Sequence, residues 1–140
     1  MALILVADDT PKNLEKLEQA ALATGGEVLK ASDRDEAIEL IRSHDFDVVV
    51  TDLALTPRHP QTGLDVLREA ILKDPFTQVI MVTGLDETEF SVKAMALGAY
   101  DYLVRGTVGI NVDAMIRIKI DNALRYRELL RAKQSSTAQG

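Results

Sequence analysis

Along the chain, short apolar runs alternate with stretches in which apolar residues return every three or four positions. The runs cover residues 2–7 (ALILVA), 27–31 (EVLKA), 47–51 (DVVVT), 78–82 (QVIMV) and 100–104 (YDYLV). Runs of this length read as strands, and three of them are apolar on consecutive positions, as in strands covered on both faces. Between them, Leu14, Leu17 and Ala21, then Ala37 and Ile41, then Leu64, Leu67 and Ile71 each make one stripe on a helix. Phe90, Ala94 and Leu97, and finally Ile116, Ile120 and Ala123, do the same. Start signals agree: Ser32 stands three residues before Asp35, and Asp86 three before Glu89, in the manner of capping boxes. The alternation predicts an α/β fold of five β-α pairs in a doubly wound parallel sheet.

Open parallel sheets bind ligands beyond the carboxyl ends of their strands, so the residues that follow each run carry the functional question. They are Asp8-Asp9 after the first run, Asp52 after the third, Thr83-Gly84 after the fourth and Arg105-Gly106 after the fifth. With the first and third strands adjacent, three carboxylates converge at one edge. Like charges in such proximity raise one another's pKa, and the cluster favours a bound cation or a retained proton. All-oxygen donors in an open site with few protein ligands suit Mg²⁺. Taken singly, Asp8 or Asp9 reads as a helix cap before Thr10-Pro11, Thr83 as a turn former, and Arg105 as a solvated cation or an inward partner of a carboxylate or phosphate. As a group, the three aspartates favour the metal.

Charge and cysteine content narrow the classes further. Lys plus Arg is 16 and Asp plus Glu is 22 in 140 residues, a net charge of −6, which argues against a nucleic-acid or anionic-membrane surface. The chain has no Cys, so disulfides, thiol catalysis and thiolate metal sites are all absent. Its apolar start meets Asp8 too early for a spanning helix or a signal peptide, and the expectation is a soluble, cytoplasmic protein. No G-x-G-x-x-G follows the first run, and the position two residues after Asp52 is Ala54 rather than a second carboxylate. Turnover on an external substrate is therefore not expected. His44 and His59 have no companions at metal-ligand spacing.

The residues at the strand ends carry a family resemblance. Val6-Ala-Asp-Asp-Thr-Pro-Lys-Asn13, Asp47-Val-Val-Val-Thr-Asp-Leu53, Met81-Val-Thr-Gly84 and Gly98-Ala-Tyr-Asp-Tyr-Leu-Val-Arg105 together resemble the response-regulator receiver domain, the phosphoacceptor module of two-component signalling. The resemblance implies a flavodoxin-like sheet of strand order 2-1-3-4-5 with five helices, the last of them extended. It implies that Asp52 takes a phosphoryl group from a sensor histidine kinase or phosphotransfer protein. Asp8, Asp9, Asp52 and the backbone carbonyl of Ala54 would hold Mg²⁺, Thr83 would donate its hydroxyl to the phosphoryl group, and Tyr102 would be the switch aromatic. A phosphorylation-independent pseudo-receiver, acting as an interaction scaffold, is the alternative.

Three departures stand beside the resemblance. The family has lysine, usually followed by proline, where this chain has Arg105-Gly106, and the exchange is not conservative at a tight ion pair. The family's glycine about eight residues after the phosphoacceptor is here Gly63, and 63 − 52 is 11, so the loop holding Pro57, Arg58, His59 and Pro60 is longer by about three. Finally, residues 1–125 make the expected receiver domain, while 126–140 continue as a helical extension and polar tail. The extension resembles linker helices that join a receiver to an output domain, as in transcription regulators, and that pair as homodimers.

Overall fold

The computed structural model describes residues 1–55, 59, 61–84 and 88–139. Five strands and five helices alternate: β1 (Leu3–Ala7), α1 (Pro11–Leu22), β2 (Glu27–Ala31), α2 (Arg34–Ser43), β3 (Val48–Thr51), α3 (Thr62–Lys73), β4 (Gln78–Thr83), α4 (Thr88–Ala96), β5 (Asp101–Val104) and α5 (Val112–Gln139). The strands form one parallel sheet in the order β2-β1-β3-β4-β5. The α/β architecture and the strand order expected from the resemblance are both present, and each strand lies within a residue of its apolar run.

The two faces of the sheet follow from the period of two in its central strands. Leu5, Ala7, Val49, Val79 and Met81 point to one side, where they pack with Ala37, Ile41, Leu64, Leu67, Phe90 and Ala94 of α2, α3 and α4. Ile4, Val6, Val48, Val50, Ile80 and Val82 point to the other, against Leu17 and Ala21 of α1 and Ile116, Ile120 and Ala123 of α5. Consecutive apolar residues in β1, β3 and β4 are thus explained by burial on both sides, while β2 and β5 at the edges are only part-buried.

One capping expectation shifts by a residue. The N-cap of α2 is Asp33, not Ser32: its carboxylate accepts from the Glu36 N–H at 2.8 Å, and Glu36 in return accepts from the Ser32 N–H at 3.1 Å. The reciprocal logic of the box survives, displaced because Asp accepts the amide as well as Ser does. Asp86, from the second expected box, and Pro57, Arg58 and Pro60 of the longer loop lie outside the described residues.

The last helix runs without interruption through Gln139, so residues 134–139 of the expected polar tail are helical. Its continuation beyond residue 125 is not free of the body. Arg127 is buried, donating through Nε to Asp47 at 2.8 Å and pairing through Nη2 with Asp74 at 3.0 Å, while the Tyr126 ring stacks on Tyr100 at 5.8 Å. Among the described residues, no helix is long and apolar enough to cross a membrane.

Candidate functional site

The sheet places the site through its backbone ladder. Beyond the ends of β1, β3 and β5 the parallel bonding continues for one residue: the Asp8 N–H donates to the Ala31 carbonyl at 3.1 Å, the Asp52 N–H to Ala7 at 3.0 Å and the Arg105 N–H to Thr83 at 2.8 Å. Three side chains named from the sequence are therefore fixed at one edge by main-chain geometry rather than by loops. Thr83 is the last residue of β4 and is buried.

Asp8, Asp9 and Asp52 each present a carboxylate oxygen, and these oxygens lie within 4.8 Å of one another. Asp8 is fully buried, Asp9 and Asp52 half-buried. One Asp8 oxygen accepts from the Thr10 N–H at 2.9 Å, so Asp8 shapes the turn that opens α1 as well as facing the pocket. Burial pushes the Asp8 carboxyl up from its ordinary range, and nearby Asp52 pushes the same way; the Thr10 amide and Arg105 oppose them. Burial likewise raises Asp52, against a hydrogen bond from the Thr83 side chain and the charge of Arg105. Such a cluster is under-compensated, and hard oxygen donors in it fit a divalent cation of the Mg²⁺ kind.

Arg105 reaches inward. Its Nη2 donates to Asp8 Oδ2 at 3.1 Å and its Nη1 makes a long contact of 3.5 Å with the Val82 carbonyl, so the solvated alternative is set aside. The following residue, Gly106, has φ +81°, a conformation closed to the proline that the resemblance places there. The departure is thus a different turn and not merely a missing ring. Tyr102 is half-buried in β5 and packs against the cluster that contains Phe90 and Ala94 of α4.

Gly63 makes sense of the longer loop. A Cβ there would stand 2.0 Å from the Asp52 carbonyl oxygen and 2.8 Å from that of Leu53, so only glycine permits this approach. The Gly63 N–H donates to the Leu53 carbonyl at 2.7 Å. Thr62, which the sequence reading passed over, closes the loop: its Oγ1 accepts from the buried Leu55 N–H at 2.7 Å and donates to the His59 carbonyl at 3.0 Å. Its position beside Gly63 was the available signal. His59 itself is exposed.

Comparison with known proteins agrees with this geometry. The family model for the response regulator receiver domain matches residues 4–116. The chain is 30% identical over 124 residues to a cyclic di-GMP phosphodiesterase of Thermotoga maritima, covering 89% of this chain and 31% of that protein. It is 33% identical over 135 residues to the transcriptional regulatory protein DltR of Streptococcus agalactiae, covering 96% of this chain and 56% of that one. The chain therefore spans about a third to somewhat over half of the length of these relatives. Among solved structures, a response regulator receiver domain protein from Clostridium thermocellum superposes with a TM-score of 0.77 at 32% identity, covering 93% of this chain and 99% of that one. NtrX from Brucella abortus gives 0.81 at 27% identity over 96% of this chain and 29% of its own. With the acidic edge, the strand order and these matches in agreement, the chain belongs to the response regulator receiver domain family.

Proposed function

We propose that the domain is a phosphoacceptor whose nucleophile is Asp52. The observation that carries this reading is the convergence of the Asp8, Asp9 and Asp52 oxygens within 4.8 Å at the edge where Thr83 and Arg105 also stand. An Asp52 oxygen attacks the phosphorus of a phosphohistidine on a sensor kinase or phosphotransfer protein. The P–O bond forms as the P–N bond breaks, and the imidazole leaves as the proton-bearing ring. Asp8, Asp9, Asp52 and the Ala54 carbonyl are the residues that would hold Mg²⁺, which when bound offsets the negative charge brought together by carboxylate and phosphoryl group.

The protein's own residues supply position and polarity. Thr83 already hydrogen-bonds the Asp52 carboxylate, and a phosphoryl oxygen on Asp52 offers that hydroxyl a new acceptor. Arg105 supplies a planar cationic donor from β5. Tyr102, packed against α4, is the aromatic through which a shift of Thr83 would reach the α4-β5-α5 face. With Ala54 where a second catalytic carboxylate would stand, the acyl phosphate is a signal rather than an intermediate in turnover.

The wider setting follows the relatives. DltR is a transcriptional regulatory protein, and a role as the N-terminal module of such a cytoplasmic regulator, with α5 leading to an output domain and pairing as a homodimer, fits the long last helix. The test is intact-mass measurement after incubation with acetyl phosphate and Mg²⁺. One phosphoryl group should add to the wild-type chain and none to Asp52→Asn. No added mass on the wild type would leave the phosphorylation-independent scaffold as the reading.

A further inference from the structure

Asp8 has no exposed surface, and both of its oxygens are engaged. Oδ1 accepts from the Thr10 N–H at 2.9 Å and Oδ2 from Arg105 Nη2 at 3.1 Å. The same carboxylate belongs to the group of three that would take a divalent cation. The guanidinium is itself held in place: Nη1 lies 3.5 Å from the Val82 carbonyl, the Arg105 N–H is bonded to Thr83, and the side chain is 19% exposed. A fixed positive charge therefore sits on a carboxylate that a cation needs. Arginine stays protonated at any working pH, and in a part-buried pocket its repulsion of a second cation is screened less than at the surface.

We infer that Arg105 is a built-in counter-cation of Asp8 which weakens divalent-cation binding and so sets the metal affinity of the pocket. This rests on the reading of the carboxylate cluster as a cation site. The three carboxylates bring three negative charges, and the guanidinium offsets one of them before any ion arrives. An incoming ion then gains less from the cluster and works against a neighbouring cation. The planar fork also explains why the charge stays at this point: one arm meets a β4 carbonyl while the other meets the carboxylate beyond β1.

The experiment is calorimetric titration of the unphosphorylated full chain with Mg²⁺ alone, repeated with Mn²⁺ followed by electron paramagnetic resonance. Arg105→Gln removes the charge and should bind Mg²⁺ about tenfold more tightly than the wild type, or about 1.4 kcal/mol. Arg105→Met, which keeps the unbranched stem, is the second charge-removing variant and should behave alike if the glutamine variant does not fold. Arg105→Lys keeps the charge and should stay within about threefold of the wild type, while Asp8→Asn should lose the site. Equal or weaker binding in the charge-removing variants overturns the inference, as does tightening of the lysine variant to the same degree. Mg²⁺ binding with phosphoryl uptake but unchanged affinity on charge removal defeats this inference alone. Absence of Mg²⁺ binding in every variant, together with no phosphoryl uptake, defeats the proposed function with it.

Discussion

At the amino end of the sheet, Arg127 of α5 is held between Asp47, at 2.8 Å, and Asp74, at 3.0 Å; at the carboxyl end, Arg105 meets Asp8, at 3.1 Å, with Asp9 and Asp52 alongside. Both sites set arginine against carboxylates, but their charge counts differ. At the amino end one guanidinium answers two carboxylates, and the second oxygen of Asp47 also accepts the Leu3 N–H at 2.8 Å. Every partner there belongs to the chain, and the arrangement ties β1, β3 and the turn before β4 to the last helix. At the carboxyl end three carboxylates share one guanidinium, and burial holds two of them above their usual range. The first arrangement balances within the chain except for Arg127 Nη1, which is buried without a hydrogen-bond partner among the described residues; the second keeps an excess of carboxylate over guanidinium that a cation would offset.

The sharpest way to break the carboxyl end is through Gly63. Gly63→Ala forces a methyl onto the Asp52 carbonyl, and the strain should cost about 3 kcal/mol in urea unfolding and suppress phosphoryl uptake by displacing Asp52. The amino end should behave in the opposite way. Arg127→Met should lower stability by about 2 kcal/mol, below the ~3–5 of a fully buried pair because Asp47 and Asp74 retain contact with water, yet leave phosphoryl uptake in the intact-mass assay intact. Loss of uptake in that variant would mean that the two ends are not separable.

Smaller effects sharpen the contrast. The folded-state pKa of Asp52 is raised, so the native protein binds that proton more readily than the unfolded chain. The associated stability is present below the unfolded carboxylate range and is lost as pH rises through the folded value. Asp52→Asn should therefore melt a few degrees above the metal-free wild type at neutral pH. The advantage should vanish as the pH falls through the carboxylate range, which thermal melts in Mg²⁺-free buffer would follow. Smallest is Tyr126→Ala, which removes the stack on Tyr100 and should cost about 0.5–1 kcal/mol without affecting metal or phosphoryl binding.

Much of the carboxyl end was legible in the chain before folding. Asp8, Asp52, Thr83 and Arg105 each follow or end an apolar run, and a parallel sheet brings such positions to one edge. The amino end was not legible in this way. Arg127 lies in a stretch that reads as polar extension, and nothing local distinguishes it from Arg125 or Arg131. Its burial depends on partners 80 and 53 positions away along the chain (127 − 47 and 127 − 74), brought near only when α5 packs on the sheet. Thr62 was similarly hidden, because its bonds to Leu55 and His59 exist only once the loop has closed.

The order of elements, the two covered faces of the sheet and the edge where the carboxylates gather all follow from the pattern of residues along the chain. Periodicity is a local property, and a strand's direction decides which residue comes last. How those charges are compensated depends on the packing of the folded chain. Packing sets the Arg105 guanidinium on Asp8 rather than in solvent, brings position 63 so close to the Asp52 carbonyl that it requires glycine, and buries Arg127 between two aspartates. Electrostatic compensation depends on distances of a few ångströms between groups far apart in the chain, and those distances come into being only when the sheet and its helices have packed.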